Sequence, residues 1–214
     1  RILDLGSGKG AVALTLLAIN EGAWCIGVEA FEASHELAMR NASLNRMGDR
    51  YVPILADLRD YTHAGSAFDL ICGAPPFMAV GAGVLPKDSQ RAAGRFELRG
   101  GVEGYCASMA RHLSDSGAAL ILIDGKGRAR TLAAFATAHL YVNRITAIIP
   151  RPDAAPTYWI VQAGRQAMPI EEQTFTMRDA SGGHWSAEYC KLRETLRLPS
   201  TGALPSKVSL SEAK

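Results

Sequence analysis

The chain has little net charge and no long apolar run, and the second shortage excludes a membrane-spanning protein. Its 23 lysines and arginines nearly balance 21 aspartates and glutamates, which leaves a net charge of +2. Such a balance is compatible with nucleic-acid binding but does not by itself indicate it. The apolar runs, such as residues 118–123, are far too short to cross a bilayer. We therefore predict no membrane partner and no signal peptide.

Metal-binding patterns are also missing. None of the five histidines belongs to a metal-binding or catalytic-triad pattern, and the cysteines form neither a CxxC pair nor a metal-type spacing. We predict no metal site, and four reduced, mostly buried thiols in an intracellular, cytoplasmic protein: Cys25, Cys72, Cys106 and Cys190. The chain has no initiator Met and opens inside a predicted central strand, so we expect an N-terminal segment in the natural protein.

The most informative stretch is the glycine-rich turn that follows an apolar strand at residues 2–5. Glycine permits a tight turn and a close approach of the backbone to a ligand. A helix predicted over residues 11–19 offers unpaired backbone N–H groups at its start. A strand, a glycine turn and a helix start in this order indicate a nucleotide site.

Strand-like and helix-like segments alternate along the chain, which predicts an α/β fold. We predict a mostly parallel seven-stranded sheet with helices on both faces, because the strands are apolar throughout. A proline-rich loop alone separates the last two strands, so the last strand is expected to be antiparallel. The predicted strands are residues 2–5, 24–28, 51–55, 68–72, 118–123, 145–149 and 158–161. The predicted helices are residues 11–19, 31–46, 102–113 and 129–140.

Two regions fall outside this alternation. Residues 78–98 form a polar, glycine-containing insertion, and residues 171–198 predict a strand over 173–177, a glycine turn and a short helix. We therefore assign residues 1–165 to a nucleotide-binding domain and residues 166–198 to an extension of that domain. The serine- and proline-containing residues 199–214 are predicted to be a flexible tail.

Two nucleotides fit the glycine turn. Residues 6–11 match the dinucleotide motif G-x-G-x-x-[GA], and Glu29 follows at roughly the 20-residue spacing of that motif. Asp4 favours a different ligand, because a carboxylate two residues before the first glycine repels a pyrophosphate. The same charge attracts the sulfonium and ammonium groups of S-adenosylmethionine.

Two further carboxylates follow strand ends, and the carboxyl ends of parallel strands share one edge of a sheet. Glu29 can accept hydrogen bonds from both ribose hydroxyls, and Asp57 from the adenine amino group. Each acid also has a local interpretation: Asp4 caps a turn, Glu29 neighbours a helix N-cap, and Asp57 caps the loop to Arg59. Their joint spacing favours the methyl donor. The candidate cofactor-binding residues are Asp4, Gly6, Gly8, Gly10, Glu29 and Asp57.

These motifs resemble those of the class I S-adenosylmethionine-dependent methyltransferases. The resemblance rests on residues 3–10, on the acids after the second and third strands, and on residues 68–71 leading to Pro75-Pro76-Phe77. Within that class, the most similar branch carries an Asn-Pro-Pro-Tyr/Phe motif. Residues 94–97 resemble the Ala-Arg-His-Glu segment of its tRNA adenine-methylating enzymes that act beside the anticodon. The resemblance implies a Rossmann-like methyltransferase fold, S-adenosylmethionine as cofactor and RNA, in particular tRNA, as substrate.

The resemblance also assigns a catalytic loop, from which this sequence departs. In the Asn-Pro-Pro-Tyr/Phe branch, the Asn side chain and the first Pro carbonyl accept hydrogen bonds from the methylated amine, and the aromatic ring stacks on the base. Ala74 stands in place of that Asn, so the candidate catalytic residues are Ala74, Pro75, Pro76 and Phe77. Three interpretations stay open: an amine methylated without the side chain, a different atom of a small molecule or protein side chain, or a weakened enzyme that assists RNA or ribonucleoprotein assembly.

The insertion carries the candidate substrate-binding residues. Its arginines recur every four residues, so on a helix they would form one guanidinium face suited to phosphates. The alternative is a solvated face paired with Glu97 and Glu103. The candidates are Lys87, Arg91, Arg95 and Arg99. No feature of the sequence indicates an oligomeric state.

Overall fold

Residues 1–198, the part of the chain that the computed structural model describes, fold into one sheet with helices on both faces. The strands are β1 (Ile2–Leu5), β2 (Cys25–Glu29), β3 (Tyr51–Leu55), β4 (Phe68–Gly73), β5 (Leu113–Asp124), β6 (Tyr141–Ile149), β7 (Tyr158–Gly164) and β8 (Glu171–Thr176). The helices are α1 (Ala11–Ile19), α2 (Glu32–Leu44), α3 (Ser89–Arg95), α4 (Val102–His112), α5 (Arg128–Thr137) and α6 (Ala187–Thr195). Within this range, no helix is both long and apolar enough to span a membrane.

The sheet has the order β3-β2-β1-β4-β5-β7-β6-β8, and its first five strands run parallel. The chain moves outward from β1 through β2 to β3 and then returns to β4 on the other side of β1. This reversal between β1 and β4 creates a crevice at the carboxyl ends of the strands, where α/β sheets bind their ligands.

The predicted α/β fold is confirmed, and the strand predicted last, at residues 158–161, is antiparallel to its neighbours, but the predicted number of strands is wrong by one. Strand β7 pairs antiparallel with both β5 and β6. Strand β8 then pairs parallel with β6 and extends the sheet to eight strands. The side chains of β8 are mostly exposed, so its sequence lacks the apolar pattern of the inner strands. The sequence predicted a strand over residues 173–177 but did not predict that this strand joins the main sheet.

The two sides of the sheet are covered by different helices. On one side, α4 and α5 pack against the central strands, and Met109 and Phe135 are fully buried there. On the other side, α1 and α2 contribute Leu17 and Ala38 to a second cluster that closes on Tyr51 of β3. Since both faces of the central strands are covered, β1 is buried at every position.

The insertion folds back on itself and places one of the expected arginines differently. Met78 pairs with Phe96 at its base, and the Phe96 side chain is buried. Helix α3 begins where the Asp88 carboxylate accepts the backbone N–H of Arg91 at 2.6 Å. It ends at Arg95, and Arg99 lies beyond it. The continuous guanidinium face expected of all three arginines is therefore not formed, because the chain becomes extended at Phe96.

Arg130 of α5 links the insertion to the body of the protein. Its guanidinium donates to both carboxylate oxygens of Glu97, at 2.6 and 3.1 Å, and to both of Glu103, at 2.6 and 2.8 Å. Glu97 belongs to the insertion and Glu103 to α4, so one side chain joins three segments. Two bidentate contacts fix orientation as well as distance.

Arg130→Ala is expected to loosen the insertion far more than it destabilises the protein. Arg130 is partly exposed, so the loss of its ion pairs costs little global stability, on the order of 1 kcal/mol. Hydrogen exchange of residues 78–100 should rise, while the melting temperature changes by a few degrees at most. The matched control is Arg128→Ala on the same helix. It breaks an ion pair to Glu172 of β8 and should leave exchange of the insertion unchanged.

Candidate active site

A cavity of about 460 Å³ lies at the carboxyl ends of β1 to β4, where the strand order reverses. Its volume falls in the range of cofactor and substrate sites. The glycine turn and the strand ends line one side, and the insertion lines the other. Seven of the residues predicted for the site line this cavity: Gly6, Gly8, Glu29, Asp57, Ala74, Pro76 and Arg99.

The glycine turn needs glycine for two separate reasons. Gly6, Gly8 and Gly10 have φ angles of 65°, 55° and 84°, in the left-handed region that other residues rarely adopt. In addition, a Cβ on Gly6 would overlap the Tyr105 hydroxyl, and one on Gly10 would lie 2.7 Å from the Tyr51 ring. At Gly8, in contrast, a Cβ would meet open space. The backbone at Gly8 is therefore open to the cavity.

Glu29 is held by the backbone in a position that leaves acceptor capacity free. Its two carboxylate oxygens accept the N–H groups of Gly8 and Phe31, both at 2.8 Å. Phe31 is the N-cap residue of α2, so Glu29 does neighbour a helix N-cap, as its local interpretation states. Glu29 also lines the cavity. Each oxygen has a further lone pair, which suits two neighbouring hydroxyl groups.

Asp57 is engaged by Arg59. Its Oδ1 accepts the backbone N–H and Nε of Arg59, both at 2.9 Å, and its Oδ2 accepts Nη2 at 2.7 Å. The loop-capping interpretation is thus observed, although the carboxylate also lines the cavity. The hydrogen bond from Arg59 holds the pKa of Asp57 below its usual range, and the nearby charge of Arg99 adds to this. One acceptor position on Oδ2 remains for a ligand.

Asp4 lies behind the glycine turn and not among the residues that line the cavity. Alternate side chains of a strand face opposite sides of the sheet, and Asp4 points toward α1, level with Gly27 and Cys72. Its side chain is 4% exposed, and its Oδ2 has no hydrogen-bond partner within residues 1–198. Burial raises the pKa of Asp4 to about 7, with a smaller contribution from the charge of Glu29. Asp4 can therefore act on a ligand through its charge.

The candidate catalytic loop, residues 74–77, follows β4 directly. Ala74 is exposed and presents no hydrogen-bonding side chain, Pro75 is buried, and Pro76 lines the cavity. The Phe77 ring is 36% exposed and lies 6.3 Å from the Tyr158 ring, centroid to centroid. The sequence prediction missed Tyr158. Because β7 is antiparallel, its first residue falls at the same edge as the carboxyl ends of the other strands, and this topology could have indicated it.

The cationic candidates do not share one helix face, because α3 ends at Arg95. Arg99 lines it, whereas Lys87, Arg91 and Arg95 are exposed on the insertion. Within residues 1–198, the ion pairs of Glu97 and Glu103 are made with Arg130 and not with these cations. The alternative of a solvated face paired with Glu97 and Glu103 is therefore wrong in its pairing, although the four cations are exposed.

Solved structures with the same architecture define the class of this fold. A predicted O-methyltransferase from Agrobacterium tumefaciens matches with a TM-score of 0.72 and 19% identity, over 93% of this chain and 90% of that one. A geranyl diphosphate C-methyltransferase from Streptomyces coelicolor, solved with S-adenosyl-L-homocysteine, matches with a TM-score of 0.55 and 13% identity, over 77% and 70% of the chains. The fold is that of the class I S-adenosylmethionine-dependent methyltransferases.

Relatives in sequence are more specific than the structural neighbours, because several carry the name of one tRNA-methylating enzyme. A tRNA1(Val) (adenine(37)-N6)-methyltransferase from Actinobacillus pleuropneumoniae is 26% identical over 190 residues, which cover 87% of this chain and 78% of the relative. The protein of the same name from Porphyromonas gingivalis is 28% identical, over 90% and 77%. A release factor glutamine methyltransferase from Bradyrhizobium diazoefficiens is 33% identical over 64% of this chain and 48% of its own length. No family model matches the chain.

The sequence prediction is confirmed in its main points. The chain is similar to tRNA adenine methyltransferases in sequence and has the methyltransferase fold, so the predicted resemblance, enzyme class and cofactor hold. The described residues also fit S-adenosylmethionine: a glycine turn open at Gly8, acceptors at Glu29 and Asp57, and a buried carboxylate at Asp4.

Affinity for S-adenosylmethionine is expected to rise with pH through about 7, because the charge of Asp4 develops as its proton leaves. The gain should approach tenfold if the cation lowers the pKa of Asp4 by about one unit. S-adenosylhomocysteine lacks the sulfonium charge and should gain less. Calorimetry with both ligands between pH 6 and 8 measures the difference.

Asp4→Asn is the control variant, and it should abolish the difference in pH dependence between the affinities for the two ligands.

In the ligand-free protein, ionisation of Asp4 lowers the stability of the fold. The folded pKa of Asp4 lies above the value of about 4 in an unfolded chain, so this group lowers stability as pH rises from about 4 to about 7. Equal pH profiles for both ligands in the unsubstituted protein would contradict the role of Asp4.

Proposed function

We propose that this protein transfers a methyl group from S-adenosylmethionine to an amino group of an RNA base, with tRNA as the substrate class, inside the cell. The observation that carries the proposal is the meeting of the donor cavity and the catalytic loop at one sheet edge. The two tRNA-methylating relatives described above support the substrate class, because their alignments cover most of this chain.

The residues divide the cofactor site along the sheet. We assign Asp57 to the adenine amino group and Glu29 to the ribose hydroxyls, since each keeps free acceptor positions. Gly6, Gly8 and Gly10 form the turn that holds the rest of the molecule, with Asp4 behind it. When bound, S-adenosylmethionine supplies a methyl group on a positively charged sulfur. The protein then contributes mainly by aligning the acceptor amine with that methyl group.

The acceptor side is formed by the catalytic loop. We assign the Pro75 carbonyl to the hydrogen bond from the amine, and the Phe77 ring to stacking on the base. Tyr158 faces Phe77 and supplies a second aromatic surface. Ala74 provides no acceptor, so one of the two hydrogen bonds expected for this loop is missing. The amine proton that is displaced by methylation leaves to solvent, since no strong base is required.

The exposed cations of the insertion are assigned to the RNA backbone. Arg99 lines the cavity, and Lys87, Arg91 and Arg95 are exposed on the same insertion. Because Arg130 neutralises Glu97, this acid does not offset their charge. Phosphate contacts of this kind give affinity that falls steeply as salt rises.

Arg91→Ala is expected to weaken binding of bulk tRNA severalfold at low salt and to reduce the slope of log affinity against log salt by about one. Calorimetric affinity for S-adenosylmethionine should not change. Arg40→Ala is the matched control, because Arg40 is equally exposed on a helix but lies more than a turn from the cavity residues of α2. Equal salt slopes in all three proteins would exclude this face as the RNA contact.

A second candidate keeps the chemistry but changes the acceptor to a protein side chain or a small molecule. Two observations favour it: Ala74 removes the amine-binding side chain, and one relative is a release factor glutamine methyltransferase. Incubation with labelled S-adenosylmethionine and separate RNA, protein and metabolite fractions distinguishes the candidates. Label in RNA supports the first, and label confined to another fraction supports the second.

Ala74→Asn is expected to raise the rate of RNA methylation about tenfold or more, because the restored acceptor aligns the amine. The control is Ala93→Asn, which adds the same side chain to the other side of the cavity and should not raise the rate. One result would contradict the proposed function. If Ala74→Asn methylates RNA and the unsubstituted protein does not, the unsubstituted chain is a binding module with the methyltransferase fold.

A further inference from the structure

Tyr105 of α4 lines the donor cavity, although no motif of the sequence points to it. The ring lies alongside Gly73, where a Cβ would come within 2.7 Å of its Cδ1 and 3.0 Å of its Cε1. The hydroxyl lies against Gly6, close enough to exclude any side chain there. Tyr105 thus occupies the junction between the glycine turn and the catalytic loop, two strand ends that are adjacent in the sheet.

The hydroxyl of Tyr105 is unpartnered. The side chain is 8% exposed, yet no hydrogen bond to this hydroxyl is found within residues 1–198. The hydroxyl oxygen is not among the sealed polar atoms of residues 1–198, so the buried side chain opens to the cavity at its polar end, where a ligand can pair with it. Burial raises the pKa of Tyr105 above its usual range, with the charges of Glu29 and Asp4 adding to this. The hydroxyl therefore stays protonated and can both donate and accept.

The order of the strands indicates which part of the donor meets this hydroxyl. Asp57 follows β3 and Glu29 ends β2, so the adenosine is assigned to that half of the cavity. The next strands across the sheet are β1 and β4, and Tyr105 lies between their carboxyl ends. The remaining part of S-adenosylmethionine is its amino-acid end with the sulfur. Since the hydroxyl itself lies at Gly6 and only the ring lies at Gly73, it faces the donor rather than the base.

We propose that Tyr105 is a cofactor-binding residue whose hydroxyl hydrogen-bonds the amino-acid end of S-adenosylmethionine. The inference rests on the proposed function, because it takes S-adenosylmethionine as the occupant of the cavity. It also explains why residue 6 must be glycine, because any side chain there would overlap the Tyr105 hydroxyl. With Asp57 and Glu29 on the adenosine, Tyr105 completes a set of polar contacts along the whole donor.

Tyr105→Phe tests the proposal with two ligands that differ only at the amino-acid end. S-adenosylhomocysteine carries that end, whereas 5′-deoxy-5′-methylthioadenosine lacks it. The variant should bind S-adenosylhomocysteine about tenfold more weakly, which is the size of one hydrogen bond to a charged group, and methylthioadenosine with unchanged affinity. The melting temperature should not fall, because the hydroxyl has no protein partner to lose.

Tyr51→Phe is the matched control. Tyr51 is also a buried tyrosine packed on the glycine turn, at Gly10, but it does not line the cavity. It should leave the ratio of the two affinities unchanged. If Tyr105→Phe weakens both ligands equally, or neither, the assignment of Tyr105 is overturned. If the unsubstituted protein binds neither ligand, the proposed function fails instead, so the two failures are distinguishable.

Discussion

The packing of two buried tyrosines against the glycine turn is the constraint on which the rest of the site depends. Tyr105 reaches the turn at Gly6 from α4, and Tyr51 reaches it at Gly10 from β3. The turn is therefore packed at one end by a side chain of α4 and at the other by a side chain of β3. This packing fixes the position of Gly8, whose N–H holds Glu29 at 2.8 Å. One backbone conformation thus connects the core to the polar groups of the cavity.

The features that sequence predicted are those that follow from local order along the chain. Glu29 and Asp57 each follow a strand, and parallel strands bring such residues to one edge whatever the distances between them in sequence. The features that sequence missed depend on contacts between distant segments. Tyr105 and Arg130 are ordinary members of amphipathic helices, and only packing shows that one reaches Gly6 and the other Glu97. Asp4 was predicted at the site, but its depth behind the turn depends on the face of β1 that it occupies.

Charge in the site is separated by depth. The acids of the cavity are each engaged from within: Glu29 by backbone N–H groups and Asp57 by Arg59. Of the cations of the insertion, Lys87, Arg91 and Arg95 are exposed, and Arg99 lies at the cavity itself. An anionic interior below a cationic rim suits a positively charged donor and a polyanionic acceptor at the same time, and it keeps each from binding in the place of the other. Neither the small net charge nor any single motif predicts this arrangement.

The ion pair between Asp57 and Arg59 has a consequence for nucleobase choice. Arg59 already occupies three of the acceptor positions of Asp57, so a single position faces the cavity. An ionised carboxylate only accepts hydrogen bonds, and here its pKa is lowered further. A purine with an amino group at that point gains a bond, whereas an oxo group in the same place sets two acceptors against each other. If Asp57 binds the nucleobase as proposed, we expect the cavity to select adenine over hypoxanthine through one lone pair of a residue that also caps a loop.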